Sequence, residues 1–210
     1  MAHRGVLFMD EFCEFHRDVL ESLRQPLQDG TIVLTRANKT FKYPANFILV
    51  AASNPCPCGY RTHPTKKCVC SISEQNAYLK KLSGPLVDRI DLSVHMGVEE
   101  IVNETVFQNT CEDSRKVADR VLQARELQRA RFSADCNALN ARMKDSDVVK
   151  YCNITADCKS FLDSSAKKLD LSMRSYIKIL KVSRTIADIA NLDGIDLSCV
   201  AEALGFRENH

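Results

Sequence analysis

Residues 5–11, GVLFMDE, decide the fold, because four apolar residues in a row end at two adjacent carboxylates, Asp10 and Glu11. An unbroken apolar run bounded by glycine and by charge is typical of a strand buried on both faces, as in a parallel sheet. Open α/β sheets hold their ligands at the carboxyl ends of such strands. Nucleotide hydrolysis uses two acids there, one for the water shell of Mg²⁺ and one to activate the attacking water. A core strand that runs into a polar loop is the plainer interpretation of the same stretch.

A second apolar run, FILVAA at residues 47–52, ends in Ser53 and Asn54. Two buried strands would therefore deliver polar groups to one edge of a sheet. The alternation of apolar and polar residues over 90–96 predicts a third strand, half exposed. Between the first two runs, 31–35 and 40–43 read as a β-hairpin. Its tip carries three basic residues at or near the turn: Arg36, Lys39 and Lys42.

The second half of the chain is expected to be helical. Helices are predicted over 114–132, from a cap at Thr155 to about 169, from a cap at Ser172 to about 191, and over 197–204. Residues 133–154 read as irregular. We therefore expect an α/β part at 1–97, a charged helix and linker at 98–145, and a helical domain at 146–210.

The bulk composition excludes several classes of protein. The 210 residues are 45% hydrophobic and 27% charged, with a formal net charge of +2, which indicates no particular partner. No apolar run approaches the ~20 residues of a membrane span. The start of the chain does not read as a signal peptide, so we expect a cytoplasmic protein without membrane contact.

Four of the ten cysteines fall within fifteen residues, in the pattern C-x-C, nine residues, C-x-C. We call this segment, Cys56–Cys70, the cysteine loop; its ligand candidates are Cys56, Cys58, Cys68 and Cys70. Thiolates at this spacing can close a tetrahedral Zn²⁺ site on a loop too polar to fold alone. Four free thiols and redox chemistry are the alternatives, and His63 is a spare ligand candidate.

Several longer motifs together resemble the ATPase core of ComM-type proteins (the YifB/ComM family), which are AAA+ ATPases of the magnesium-chelatase-like group. These are GVLFMDE at 5–11, RQPLQDG at 24–30, AASNPCPCG at 51–59 and SGPLVDRIDL at 83–92. The stretch LSMRSYIKILKVSRTIADI at 171–189 resembles the C-terminal helical domain of the same family. The resemblance implies an α/β fold, a partial AAA+ (P-loop NTPase) core with a parallel sheet, followed by an all-α helical lid domain.

The resemblance also implies roles for individual residues in ATP and Mg²⁺ chemistry. Asp10 and Glu11 would be the Walker B pair, for Mg²⁺ and for the attacking water. Asn54 would sense the γ-phosphate, Arg89 would be the arginine finger that reaches a neighbouring subunit, and Arg174 would be the second sensor. The residues alone leave simpler interpretations open: a turn former at 54, an ion pair of Arg89 with Asp88 or Asp91, and an exposed first-turn arginine at 174.

One motif of the family is missing from this sequence. None of the seven glycines is followed by lysine, so the Walker A pattern G-x-x-x-x-G-K-[ST] is absent. The resemblance places that loop upstream of the Walker B strand, and its strand between those at 47–52 and 90–96. We therefore expect a C-terminal fragment with poor ATP affinity, negligible turnover and a tendency to aggregate, since apolar strands would face an empty slot.

For the complete protein the resemblance implies a homo-hexameric, ATP-driven ring that acts on DNA, in branch migration during recombination or transformation. The basic hairpin resembles one that related helicases point at DNA, where Arg36, Lys39 and Lys42 would contact phosphates; a solvated turn is the alternative. Two other functions stay open. One is a magnesium-chelatase motor subunit, against which the cysteine loop argues. The other is a non-enzymatic, zinc-dependent interaction module.

Overall fold

The computed structural model describes residues 2–37, 39–82, 84–97, 112–132 and 139–207. These fall into two units, the first made of Met1–Ile90 with Met96–Glu99 and the second of Asp91–His95 with Glu100–His210. The predicted linker within 98–145 lies partly outside the described residues. Each unit is described by itself.

The first unit is a mixed α/β structure. Its strands are β1 (Val6–Met9), β2 (Thr31–Arg36), β3 (Lys39–Pro44) and β4 (Ile48–Ala51). Its helices are a 3₁₀ turn (Phe12–Glu14), α1 (Arg17–Ser22), α2 (Arg24–Asp29), α3 (Ile72–Lys80) and α4 (Gly84–Val87). The parallel sheet predicted from the apolar runs is confirmed: β1 pairs with β4 in parallel, Val6 opposite Ile48 and Met9 opposite Ala51.

The two faces of this sheet differ in burial, because successive side chains of a strand point to opposite sides. One face packs into the core of the unit, a cluster that includes Leu7, Met9, Phe12, Leu20, Leu49 and Leu86. The other face is open to solvent: Val6 is 57% exposed, Phe8 62%, Ile48 64% and Val50 43%. We call these four residues the exposed sheet face. The prediction that these strands are buried on both faces is therefore wrong, because β1 and β4 are buried on one side only.

The predicted hairpin is also confirmed, with β2 and β3 antiparallel from Thr31 opposite Pro44 to Arg36 opposite Lys39. Asn38, at its tip, lies outside the described residues, and Ala37 beside it adopts a left-handed φ of 43°.

The strand predicted over 90–96 is wrong. After α4, the described residues 84–97 contain no strand. Asp91 and Ser93 belong to the second unit and bind within it: Asp91 pairs with Lys178 at 2.7 Å, and the Ser93 N–H donates to the Phe206 carbonyl at 3.1 Å. An alternating pattern forms a strand only where a neighbouring strand can pair with it.

The second unit is helical. It consists of α5 (Ser114–Arg131), a 3₁₀ turn (Asn140–Arg142), α6 (Asp145–Tyr151), α7 (Ala156–Lys168), α8 (Met173–Ile189) and α9 (Leu197–Gly205). The prediction that 133–154 is irregular is wrong for α6, while 133–138 lie outside the described residues. That helix begins without a Ser, Thr or Asn cap; the Asp147 carboxylate accepts from the Lys144 N–H at 3.0 Å, and Val148 packs into the core.

A buried polar network crosses the core of the second unit. Asp188 is 1% exposed and accepts from Arg131, Arg184 and the Asn140 amide. Paired buried charges of this kind fix how helices pack, since each loses its water and must keep its partner. Among the helices that the structure describes, none is both long enough and apolar enough to serve as a membrane span.

Candidate functional site

The carboxyl ends of β1 and β4 lie side by side. The ladder continues past the strands, because the Ala52 N–H donates to the Met9 carbonyl at 3.0 Å and the Phe12 N–H donates to the Ala52 carbonyl at 2.8 Å. Asp10 and Glu11 therefore leave the sheet next to the segment that leads to Asn54. This is the edge at which parallel α/β sheets bind ligands.

The two carboxylates are exposed, and the backbone turns sharply between them and the 3₁₀ turn. Glu11 has a left-handed φ of 49°, and its N–H donates to Asp10 Oδ1 at 2.9 Å. A left-handed conformation is uncommon for a residue other than glycine, and strained backbone of this kind is concentrated at functional sites. The geometry fits a pair of acids that meets a solvated cation.

Asn54 is exposed and borders the cysteine loop. A Cβ added at Gly59 would lie 3.9 Å from both Cγ and Oδ1 of Asn54, so the loop backbone passes against the amide. The preceding Ser53 hydroxyl donates to Cys13 Sγ at 3.0 Å and lies 3.2 Å from the Asn54 carbonyl oxygen. An amide side chain can donate and accept at once, which suits a residue that reads phosphate and water.

Arg89 follows α4 and contacts its own unit. Its guanidinium donates to the Pro85 carbonyl and to Gln28 Oε1 on α2. Asp91, one of the two ion-pair partners weighed from the sequence, is bound to Lys178 instead. To act on a nucleotide of a neighbouring subunit, the guanidinium would have to leave Gln28.

Arg174 is exposed in the first turn of α8, which Ser172 caps through the Ser175 N–H. One turn further along, burial lowers the pKa of Lys178, and the carboxylate of Asp91 opposes that shift. Of the five residues expected to bind nucleotide, the structure thus brings Asp10 and Glu11 next to the Asn54 segment. Arg89 contacts α2 of the same unit, and Arg174 belongs to the second unit.

The four cysteines of the loop converge, with all four sulfur atoms within 4.8 Å of one another. Cys56 Sγ lies 3.4 Å from Cys58 Sγ and 3.6 Å from Cys68 Sγ, and Cys58 Sγ lies 3.5 Å from Cys68 Sγ. A tetrahedral Zn²⁺ with Zn–S bonds of about 2.3 Å holds its sulfurs about 3.8 Å apart, whereas a disulfide needs about 2.05 Å. The spacing fits a metal and excludes a disulfide in this conformation.

The surroundings of the cluster shift the pKa values of its thiols in opposite directions. Gln75 Nε2 donates to Cys68 Sγ at 3.5 Å and to the Cys70 carbonyl at 3.1 Å. Backbone hydrogen bonds from Tyr60 and Val69 lower the pKa of Cys58 to about 6. Burial, with the other thiols, raises the pKa of Cys70 to about 12. Thiolates this close repel one another, so the set can ionise together only around a cation.

His63 is outside this cluster. Its Nδ1 accepts from the N–H groups of Thr65 and Lys66 at 3.2 and 3.0 Å, so the ring stabilises a turn of the loop. Within the described ranges, the potential metal ligands that converge are the four cysteines.

The three basic residues of the hairpin lie on two faces. Arg36 and Lys39 are opposite each other next to the turn. By strand alternation they share a face with exposed apolar residues, namely Ile32, Leu34, Phe41 and Tyr43. Lys42 is on the other face, opposite Val33. One face of the hairpin therefore carries both Arg36 and Lys39 and the exposed rings of Phe41 and Tyr43.

Sequence reasoning missed the residues that support the site. Gln75 follows a capping box, in which Ser71 Oγ accepts from the Glu74 N–H and the Glu74 carboxylate accepts from the Ser71 N–H. The capping box fixes where α3 begins. It therefore also determines that Gln75 is the side chain of the first turns that reaches back to Cys68 and Cys70. The contact of Ser53 with Cys13 spans 40 residues and leaves no local signal.

Comparisons with known proteins agree over the whole chain. The family model of magnesium chelatase, subunit ChlI, matches residues 1–105, and that of the ChlI C-terminal region matches residues 111–207. The chain is 41% identical over 210 residues to the Competence protein ComM of Haemophilus influenzae and 39% identical to the Uncharacterized protein YifB of Escherichia coli. Each alignment covers 99% of this chain and 40% of the relative.

A more distant similarity, 25% identity over 186 residues, links the chain to the Archaeal Lon protease of Methanocaldococcus jannaschii, of which it covers 23%. The chain thus spans about 40% of the length of the ComM and YifB relatives. The two family models together cover both units, and the motifs that meet at the edge of the sheet lie within the first. The chain therefore belongs to the magnesium-chelatase-like family, with relatives of the ComM/YifB type.

Proposed function

We propose that this chain is part of an ATP-driven AAA+ motor of the ComM type that acts on DNA. The observation that carries the proposal is the parallel pairing of β1 with β4, which puts Asp10 and Glu11 beside the segment of Asn54. Acids and an amide at the carboxyl ends of adjacent parallel strands are the groups that phosphoryl transfer to water requires.

Each residue has a distinct role in this proposal. Asp10 holds the Mg²⁺ of Mg-ATP through water, and Glu11 orients the attacking water and accepts its proton. Asn54 hydrogen-bonds the γ-phosphate or that water. Arg89 stabilises charge in the transition state of a neighbouring subunit, an effect of about 10³-fold or more in rate. Arg174 links the helical part to the nucleotide.

The phosphate-binding half of the site is not in this sequence, which has no G-x-x-x-x-G-K-[ST]. We therefore propose that the 210 residues alone bind ATP poorly and turn it over negligibly. In a longer protein of the length of the relatives, we propose a homo-hexameric ring, because an arginine finger acts on the nucleotide of an adjacent subunit.

We test this with a hybrid protein in which this chain replaces the matching segment of the Haemophilus influenzae relative. The hybrid should bind and hydrolyse ATP, because only the phosphate-binding half is supplied from outside. In the hybrid, Glu11→Gln should keep nucleotide affinity and lose turnover by about 10²-fold or more, since proton transfer to a positioned base contributes about 10²–10⁴-fold.

Glu14→Gln, an equal change in an exposed acid of the adjacent 3₁₀ turn, is the matched control and should leave turnover unchanged. A hybrid that folds and binds ATP but hydrolyses it equally well with Glu11→Gln would refute the assignment of the catalytic acids.

The DNA contact is proposed for the hairpin face that carries Arg36 and Lys39. Cations beside the exposed rings of Phe41 and Tyr43 suit a single strand, whose phosphates bind the cations and whose bases stack on the rings. Lys42, on the other face, contributes charge only.

Binding of a labelled single-stranded oligonucleotide, measured by anisotropy at several salt concentrations, tests this contact. Replacing both Arg36 and Lys39 by Ala should lower the slope of log K against log salt by about 1.4, since each contact to a single strand contributes about 0.7. The matched double variant Arg115→Ala/Lys116→Ala on α5 should leave the slope unchanged. Equal losses in both variants would mean that only net charge matters.

The cysteine loop is proposed as a structural Zn²⁺ site, on the strength of the sulfur spacing and the Gln75 contacts. It also supports a second candidate function, a zinc-dependent interaction module that needs no nucleotide. Zn²⁺ binding together with salt-sensitive DNA binding and no ATP turnover in the hybrid would favour that module. A magnesium-chelatase motor subunit remains the third candidate, and the cysteine loop argues against it.

A further inference from the structure

We propose that the cysteine loop positions Asn54, so that occupancy of the four-cysteine site by Zn²⁺ regulates the residue that reads the nucleotide. The inference rests on the role proposed for Asn54 above, and it adds that bound Zn²⁺ regulates the position of this side chain. Three connections carry it: the covalent link to Cys56, the Gly59 turn beside Asn54, and the anchoring of the far end of the loop on α3.

The covalent link is short and stiff. Asn54 is followed by Pro55 and then by Cys56, whose side chain is fully buried. Proline fixes φ, and two peptide units span at most about 7.6 Å between Cα atoms. A displacement of the Cys56 backbone is therefore transmitted over a short distance to Asn54.

The second connection is a packing contact. Gly59 has a φ of 77°, and its N–H donates to the Cys56 carbonyl at 2.9 Å, which folds the chain back after the first two cysteines. This turn is where a Cβ would lie 3.9 Å from the Asn54 amide. The turn that brings Cys56 and Cys58 together thus also lies beside the exposed Asn54 side chain.

The third connection closes the loop at its other end. Cys70 leads directly into α3 through the Ser71–Glu74 capping box, and Tyr78 of this helix is buried. Gln75 of the same helix donates to Cys68 Sγ at 3.5 Å and to the Cys70 carbonyl at 3.1 Å. The helix that follows the last two cysteines is therefore fixed to that end of the loop.

The metal is what would join these parts. Cys56 and Cys58 come from the strand end, whereas Cys68 and Cys70 come from the start of α3. Without a cation, the sulfur contacts between the two pairs are weak hydrogen bonds, Cys56 to Cys68 at 3.6 Å and Cys58 to Cys68 at 3.5 Å. With Zn²⁺ they share four strong bonds, which fix the Gly59 turn and, through it, the amide.

Nuclear magnetic resonance of the full 210-residue chain tests the coupling, with Zn²⁺ alone as the probe and no nucleotide present. The side-chain NH₂ pair of Asn54 is assigned by its loss in Asn54→Asp. Metal-free chain is titrated with Zn²⁺, and bound zinc is measured by elemental analysis. We expect one Zn²⁺ per chain and a shift of the Asn54 pair that is complete at one equivalent.

Matched variants separate binding from coupling. Cys58→Ala should lose both the zinc and the shift, whereas Cys158→Ala, which removes a buried thiol of the second unit, should keep both. Gly59→Ala should keep the zinc but give a different Asn54 shift. Circular dichroism confirms that each variant is folded.

Two results would overturn the proposal: a wild-type chain that binds no Zn²⁺, or one that binds Zn²⁺ at the four cysteines while the Asn54 pair stays unmoved. Because no ATP is present, neither result depends on the motor function. If the hybrid fails to hydrolyse ATP but the Asn54 pair responds to Zn²⁺, the motor function fails and the coupling stands.

Discussion

The exposed sheet face predicts that this chain self-associates weakly and that two substitutions abolish the association. Val6, Phe8, Ile48 and Val50 together form an apolar surface on a parallel sheet, whose strands are ordinarily covered on both sides. The perturbation is Phe8→Thr with Val50→Thr, because threonine favours strands and both side chains already contact water. We expect a monomer that keeps the fold of the wild type.

The magnitude follows from the exposed fractions. Full burial of such a side chain is worth about 1.5–3 kcal/mol, and with 43–64% of each residue exposed, covering all four would gain about 3–7 kcal/mol. Two faces against each other gain about twice that, roughly 7–14 kcal/mol, while association costs about 4–15 kcal/mol. Gain and cost are similar, so at most a few kcal/mol remain and the dissociation constant should be about 1 mM or weaker.

The double variant removes about half of this apolar surface from each copy, or roughly 3–6 kcal/mol per dimer. That corresponds to a weakening of more than about 100-fold, since 1.4 kcal/mol is tenfold. Sedimentation velocity over a concentration series measures the association, and binding of a hydrophobic dye reports the exposed surface. Val149→Thr, at a residue of α6 that is 76% exposed, is the control and should change neither.

Two results would refute this reasoning. One is a wild-type chain that stays monomeric at the highest concentration and binds no dye. The other is a double variant that associates as the wild type does, which would mean that another surface, such as the unpaired edges of the two strands, drives the association.

Three further predictions concern the charges and the metal. Asp188→Asn should lower the free energy of unfolding of the second unit by about 3–5 kcal/mol in urea titrations, because Arg131 and Arg184 would lose their buried counter-charge; an unchanged midpoint would contradict this. The Ser198 hydroxyl and the Cys199 N–H lower the pKa of Asp196 to about 2 from an ordinary 3.8, so its stabilising effect is present above about pH 4 and is lost as the pH falls towards 2; Asp196→Asn should remove that part of the acid dependence. A chelator should lower the melting temperature of the first unit and leave that of the second unchanged, since a ligand at 1,000 times its dissociation constant stabilises by about 4.1 kcal/mol.

Most of the fold could be predicted from local patterns. The apolar runs at 6–9 and 47–52 predicted the parallel pair, and the caps at Ser172 and Thr155 marked where α8 and α7 begin. The strand over 90–96 could not be judged in the same way, because alternation indicates a face to bury but does not supply a neighbour to pair with. Helix α6 was missed because the residue before it is Lys144, whereas Ser, Thr, Asp and Asn are the usual N-caps. Its first turn is stabilised by a hydrogen bond from the Lys144 N–H to the Asp147 carboxylate.

In the candidate site, too, residues positioned by local sequence could be predicted, and contacts made between distant segments could not. Residues that follow a strand directly, Asp10 and Glu11, could be placed at the sheet edge from the sequence, since a strand carries its last residue to a defined position. The four cysteines could be grouped by spacing. The contacts of Gly59 with Asn54 and of Ser53 with Cys13 depend on how the loop folds back, and spacing along the chain does not encode that.

The cysteine loop and the parallel sheet of the first unit differ in how many of the residues they need are present in this chain. This difference determines which experiment suits each of them. The four cysteines of the cysteine loop and Gln75 lie within 20 residues of one another, so the proposed metal site would need no residue beyond this chain. The sheet is different: its strands are apolar on both sides, yet one side meets solvent. A sequence that specifies burial on both faces specifies a covering layer, which the described residues do not provide. The proposed response of Asn54 to Zn²⁺ can therefore be tested in the 210 residues as they stand, whereas the proposed ATP turnover is tested in the longer hybrid.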